Sequence, residues 1–483
     1  MVNNYSHVFL KFINYLVKII SVKTTLPVPV PVPINSIPIR ILRPDHTLSR
    51  SKISPAALTV LYQLHKAGYQ AFLVGGGVRD VLLGRAPKDF DVVTNALPDQ
   101  IKHLFSRQCR LIGRRFVLAH VSVNRDVVEV STFRAHHEKG GDGAMENGRI
   151  VRDNVYGSSI NEDVWRRDFT VNALYYDISD FSVIDYTNGM TDLRAGVLRL
   201  IGEPILRYQE DPVRMLRAAR FAAKLGFKLD PATAEPIPQL GNLLTHIPPA
   251  RLHEEALKLF LSGYAMESFK QLRKYDLFKH LFPYTEASFQ TDPLAQPLVE
   301  QILFNTDQRL AKNKPVAAAF LLAALLWPPL LQVLSQRPFH EDRQPEDRQQ
   351  ELMLEAIQHL MVQQMRYVFI PKRIIALIQD IWLFQLRLTG KHRGKKSLRL
   401  MEHPCFRAGY DFLMLRAQVD ESLQKYSDWW TQLQEGDSEV RLQLMSHGGH
   451  PFLPERKRRA RKSSKSKIAT AKENTEDGND EGI

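Results

Sequence analysis

Between Phe72 and Ala96 the chain reads FLVGGGVRDVLLGRAPKDFDVVTNA, with three consecutive glycines and, twelve residues after the last of them, two aspartates separated by one residue. Three residues without a Cβ in a row favour a tight turn over the interior of a helix or a strand. The flanks agree: AFLV before the glycines predicts a short strand, and VRDVLLG after them predicts a helix closed by Gly84. A dinucleotide loop would need a third glycine where Asp80 stands, and a carboxylate there would occupy the place of a pyrophosphate. A Walker loop would need Gly-Lys-Ser/Thr, which GRAPKD does not supply. What remains is a glycine turn with open main-chain N–H groups and Arg79 just behind it, a combination that suits a phosphate. A plain strand-to-helix turn explains the glycines alone equally well.

The aspartates point further. DFDVVT predicts a strand, and residues two apart on a strand project from one face. Asp89 and Asp91 would then repel each other unless a cation lies between them. Hard carboxylate oxygens suit Mg²⁺, which takes one or two carboxylates and completes its shell with water and phosphate oxygens. Paired metals can clamp the attacking and leaving oxygens of an in-line displacement at phosphorus. The stretch therefore predicts a nucleoside triphosphate site for phosphoryl or nucleotidyl transfer. No kinase signature set accompanies it.

Along the chain, SPAALTVLYQLHKAGYQ predicts a helix with Ser54 as N-cap and Pro55 at its first position. PDQIKHLF predicts a helix, VVEVSTF a strand, HEKGGDGAMENG a loop, and VIDYTNGMTDL a strand and turn. DVWRRDFTVNALYYD starts as a helix. From about Ile201 the pattern is helical almost to the end. Residues 1–36, with the alternating LPVPVPVP, predict a disordered or linker extension. The apolar FLKFINYLVKII is interrupted by Lys11, Asn14 and Lys18, so no membrane span is expected. A surface helix and an export signal stay open for it. After Glu455 a basic run, ERKRRARKSSKSK, precedes an acidic one, and both should be disordered.

The net charge of +13 favours an anionic partner. Two distant cysteines, Cys109 and Cys405, build neither a disulfide framework nor a thiolate zinc site and suit a reducing, cytoplasmic compartment. The pair His136–His137 with Glu138 reads as solvated or RNA-facing loop residues, and Trp429, Trp430 and Cys109 as packing residues.

Five segments in fixed order resemble the class II nucleotidyltransferases, the group of tRNA CCA-adding enzymes and bacterial poly(A) polymerases. They are LVGGGVRDVLLG…KDFDVVT, EVSTFR, RRDFTVNALYYD, DLRAGVLRLIG and EDPVRMLRAARFAAKLGF. The resemblance covers roughly residues 37–440. It implies an α+β polymerase-β-like head, a small mixed sheet with helices, followed by an all-α neck, body and tail. The expected boundaries are a catalytic head at 37–200, a nucleotide- and RNA-binding neck at 201–265, a body at 266–445 and a disordered tail at 446–483. It implies catalytic Asp89, Asp91 and Asp168, with Asp89 and Asp91 as metal ligands for two Mg²⁺ ions, and Glu129 as the competitor for the third acid. It implies nucleotide contacts from Gly76, Arg79, Arg166, Arg167, Asn172, Asp211, Arg214 and Arg217. The spacing of Asp211, Arg214 and Arg217 adds that they share one helix face.

Within that group LIGRRFVLAHV, where CCA-adding enzymes carry a glycine-containing stretch, favours template-independent addition of AMP from ATP to RNA 3′ ends, contributing to RNA turnover. CCA addition to tRNA is the alternative. The body also lacks a His-Asp phosphohydrolase signature. Arg456, Lys457, Arg458, Arg459, Arg461 and Lys462 are expected to grip RNA without reading its sequence, through counterion release. The expected partners are RNA 3′ ends of messenger, regulatory and structured RNAs, with RNA-decay or RNA-chaperone proteins, and the expected state is a monomer.

Overall fold

The computed structural model describes residues 37–113, 116–135, 142–146, 149–336, 345–390 and 395–446. The extension 1–36, His136–Glu138 and the basic run at 456–462 lie outside the described residues.

An eight-stranded sheet forms the first part. Its strands are β1 (Ile39–Ile41), β2 (Ala71–Val74), β3 (Asp91–Thr94), β4 (Cys109–Ile112), β5 (Leu118–Val123), β6 (Asp126–Thr132), β9 (Leu174–Asp177) and β10 (Val183–Asp185). Their order is β1-β10-β9-β2-β3-β6-β5-β4. Every pairing in this sheet is antiparallel except β3 with β6. The period of two sorts the side chains onto two faces. Leu73, Val92, Val130 and Tyr176 join the main core with the helices Pro55–Lys66 and Pro98–Phe105. Phe72, Val74, Val93 and Tyr175 form a smaller cluster on the opposite face with the helix Ile160–Val164. Ser54 caps the first helix as expected, its hydroxyl oxygen accepting from the Ala57 N–H at 3.2 Å.

VIDYTNGMTDL forms the expected strand, but its second half is the start of the helix Gly189–Ala195 and not a turn. Two strand expectations also need correction. The strand begins at Asp91, not at Asp89. β2 ends at Val74, opposite Asp91, and Gly75 then turns away with φ +77°, so Asp89 has no strand residue to pair with. The stretch expected as a loop contains β7 (Asp142–Glu146), paired antiparallel with β8 (Arg149–Asn154). Its glycines hide a strand whose hydrogen-bond partners come from the following segment.

From Pro204 onward the described chain is almost entirely helical. The helix Val213–Leu225 is tied to the sheet region by a short parallel ladder between Val197–Leu198 and Lys228–Leu229. The main apolar core runs without interruption from Leu48 to Leu415. A second cluster gathers around the fully buried Trp430, whose indole N–H donates to the Leu388 carbonyl at 2.9 Å. Cys109 and both tryptophans are buried, as a packing role requires. Among the described residues no single helix is long and apolar enough to cross a membrane.

Candidate active site

The parallel pairing of β3 with β6 sets Asp91 directly beside Glu129. Neighbouring parallel strands lie about 4.8 Å apart, so the two carboxyls rise side by side from one face. Glu129 is half exposed, and His120 Nε2 lies 3.4 Å from it. Asp89 is exposed just ahead of the strand. The glycine turn packs against this acidic segment. A Cβ on Gly77 would stand 3.0 Å from the Asp89 carbonyl oxygen, and one on Gly75 would stand 3.4 Å from Asp91 Oδ2. Gly76 is partly exposed and opens the helix Gly76–Leu82, so its N–H lacks an intrahelical acceptor.

Burial, and then the charge of Glu129, push the Asp91 carboxyl up to about 6, with Arg167 opposing and Asp89 adding to the rise. Asp91 thus resists ionising in the absence of a cation. Among the described residues no three acidic, histidine or cysteine side chains form a complete cation site by themselves. The cluster is of the kind that needs phosphate oxygens to finish a metal shell.

Arg167 is held toward this cluster from behind. Its Nε donates to Tyr175 Oη at 2.7 Å and to Asp163 Oδ2 at 2.9 Å, and Tyr175 donates to the same Asp163 oxygen at 2.7 Å. The Arg134 main-chain N–H fixes the other Asp163 oxygen at 3.0 Å. Asp163 and Tyr175 were not among the expected site residues. The Asp163–Arg167 spacing of four on a helical segment was the available signal.

Asp168 has a different setting. Its Oδ1 accepts from the Phe169 N–H and from Asn172 Nδ2, and its Oδ2 from Arg217 Nε at 2.7 Å. Burial would raise this carboxyl, but Arg217 and the hydrogen bonds of Asn172 and Phe169 outweigh it and hold it down at about 2. Asn172 also accepts from Arg79 Nη1 at 2.5 Å, and Arg79 in turn donates to Asp80. A continuous chain Asp80–Arg79–Asn172–Asp168–Arg217 therefore joins the glycine-turn helix to the helix Val213–Leu225. Lys224 closes a second link to Asp80 at 3.3 Å. The guanidiniums of Arg79, Arg217 and Arg220 all lie over the Phe221 ring, at 4.6 to 5.2 Å from its centroid.

These contacts divide the expected nucleotide-binding arginines. Arg79, only 1% exposed, is a buried brace and not an open phosphate clamp. Its donors are taken up because Asp80 and Asn172 are the polar groups available inside. Arg166 is buried against Asp153 at 2.6 Å. Arg214 is buried and donates to the Arg207 carbonyl and to Glu210. Arg167 and Arg217 keep partly exposed side chains, at 21% and 32%. Asp211 is not on the helix with Arg214 and Arg217. It stands between the helices Pro204–Glu210 and Val213–Leu225, because Pro212 interrupts them, and it pairs with Arg251 at 2.8 Å.

A small mixed sheet with paired carboxylates beside a glycine turn, followed by helices, defines a nucleotidyltransferase. The solved structures agree on the fold: the chain matches the Bacillus stearothermophilus CCA-adding enzyme in complex with CTP with TM-score 0.51 at 24% identity, covering 82% of this chain and 84% of that one. It matches a tRNA-processing enzyme in its apo form I with TM-score 0.54 at 22% identity, covering 83% and 98%. Family models match as "Poly A polymerase head domain" at residues 71–199, "Probable RNA and SrmB- binding site of polymerase A" at 226–289 and "Polymerase A arginine-rich C-terminus" at 346–465. Poly(A) polymerase I of Salmonella typhimurium is 50% identical over 403 residues, 82% of this chain and 85% of the relative. That of Escherichia coli is 48% identical over 441 residues, 89% and 93%. The CCA-adding enzyme of Bacillus pumilus is 37% identical over only 49% of this chain and 58% of its own length.

The chain belongs to the poly(A) polymerase I family. It is a polynucleotide adenylyltransferase, and the CCA-adding enzymes are its more distant relatives. Membership implies a nucleotide substrate, RNA and a divalent metal.

Proposed function

We propose that this chain extends RNA 3′ ends with AMP from ATP, with Asp89, Asp91 and Glu129 as the carboxylates around the reacting phosphate. The observation that carries the assignment is the Asp91–Glu129 pair on adjacent parallel strands, where burial first and the charge of Glu129 second raise the Asp91 carboxyl. A divalent cation fits that setting, and Asp89 and Asp91 are the residues that would hold two Mg²⁺ ions. When bound, the metal supplies charge neutralisation at the phosphates and activation of the attacking oxygen.

In this reading the RNA 3′-hydroxyl oxygen bonds to the α-phosphorus of ATP, the bond to pyrophosphate breaks, and the hydroxyl proton leaves. Glu129, half exposed beside Asp91, is suited to take that proton. Arg167, braced by Asp163 and Tyr175, faces the triphosphate, and the Gly76 N–H offers it a further donor. Arg217 works from the helix side. Asp168 becomes a positioning residue rather than the third acid, since Arg217 and Asn172 already occupy it. Arg79, Arg166, Asn172, Asp211 and Arg214 hold the nucleotide pocket in shape from within. The division into a catalytic head at 37–200 and helical neck and body regions belongs to the same reading, as do RNA partners bound by the basic run, action as a monomer and a place in the cytoplasm.

Full-length protein incubated with a generic RNA and each nucleoside triphosphate in turn tests this. Long ladders with ATP alone are expected. Addition that stops at C-C-A on tRNA would overturn it.

A further inference from the structure

Far along the chain, the helix Pro345–Gln364 gives way to the helix Lys372–Thr389 through a turn and a few residues outside regular secondary structure. Val368 and Ile370 in that joint are fully buried, while the residue between them faces outward. That residue is Phe369, 43% exposed. Pro371 is the N-cap of the next helix, and the Phe369 N–H donates to the Pro249 carbonyl at 3.0 Å, so the ring is carried on a fixed backbone.

Arg366, Lys372 and Arg373 surround the ring in sequence and are exposed. None of them has an ion-pair partner among the described residues. No aspartate or glutamate occurs between Glu355 and Asp380. An exposed aromatic flanked in sequence by three cations without ion-pair partners and by no acid is the pattern of a base-stacking platform with a phosphate track. A face built to receive a protein helix would pair some of those charges itself or offer a deeper apolar groove.

The platform is also linked to the candidate active site through one helix. Pro249, which holds Phe369, opens the helix Pro249–Phe260. Two residues on, Arg251 pairs with Asp211 at the start of the helix that carries Arg214 and Arg217.

We propose that Phe369, with Arg366, Lys372 and Arg373, forms a stacking platform for single-stranded RNA a few nucleotides upstream of the 3′ end being extended. The proposal rests on the RNA-extending function above for the direction of the strand. Its test does not require catalysis.

The full-length Phe369→Ala variant should bind a fluorescein-labelled oligoadenylate of about fifteen nucleotides roughly tenfold more weakly by anisotropy without ATP, the range expected for loss of one stacked base. The KM for ATP should not move. Phe369→Trp should restore RNA affinity, whereas Phe369→Leu should not, because stacking needs a π-face. Arg366→Ala and Arg373→Ala should each lower the slope of log affinity against log salt by about 0.7. Unchanged oligoadenylate affinity in Phe369→Ala would overturn the proposal and leave the patch to a protein partner. Full rescue by leucine would overturn it equally. Because binding is read alone, either result stands whether or not the chain extends the RNA.

Discussion

Asp91→Asn removes the charge that the fold tolerates least at this site. In the folded chain without metal, burial and Glu129 raise the Asp91 carboxyl from 3.8 to about 6. Such a difference corresponds to about 3 kcal/mol between the two protonation states, as an order of magnitude. The sign follows from linkage. Below pH 3.8 the carboxyl is protonated in both folded and unfolded chains and imposes no penalty. As pH rises through about 6 the folded chain must ionise a group that its surroundings disfavour, and stability falls. Asparagine keeps the shape without the charge. At pH 8 with a chelator, Asp91→Asn should melt about 5 °C higher than the native sequence, and the gap should close by pH 4. Excess Mg²⁺ should narrow the gap at pH 8, because binding to the native site compensates the same penalty. Adenylation by the variant should be lost. Differential scanning fluorimetry across pH, with chelator and with Mg²⁺, reads all three arms. A variant that is less stable than the native chain at pH 8 without metal would refute the reasoning, since the carboxylate would then be satisfied within the fold.

Glu129→Gln should bring the Asp91 carboxyl down toward its ordinary range and cut elongation at least tenfold with a raised Mg²⁺ requirement. Unchanged kinetics in a Mg²⁺ titration would return the third acid to Asp168. Tyr175→Phe leaves Asp163 and Arg167 one hydrogen bond short each; a loss of about 1 kcal/mol in kcat/KM for ATP is expected, with RNA affinity by anisotropy unaffected. Asn172→Ala breaks the link between Arg79 and Asp168 and strands buried polar groups. A stability loss of about 1–3 kcal/mol by urea denaturation should result, together with a higher KM for ATP. Removing residues 456–467 should weaken RNA binding and flatten its salt dependence while ATP affinity stays put. A large loss of ATP affinity would mean that the run folds back onto the active site.

Much of the fold was legible because its signals are local. The Ser54 cap, the apolar run before the glycines and the β-branched VVEVSTF segment each act over a few residues, and each formed the element expected. The strand at Asp142–Glu146 is not legible, since its pairing partner lies in the following segment, outside a window dominated by glycines and polar residues. The start of β3 is not legible for a related reason. Whether Asp89 extends the strand depends on where β2 stops, and the positive φ of Gly75 decides that.

The sequence by itself determined which chemical groups are present: a glycine turn, an Asp-x-Asp pair, an Arg-Arg-Asp segment and an arginine-bearing helix, enough for a resemblance to the class II nucleotidyltransferases. It could not say which of those charges face solvent and which face each other. Only the tertiary structure turned Arg79 inward to Asp80 and Asn172, tied Asp168 to Arg217 and set Glu129 beside Asp91. The physical reason is that a charge's role depends on its nearest opposite charge and its burial. Both are fixed by contacts between residues as far apart in sequence as Arg79 and Asn172, which no local pattern encodes.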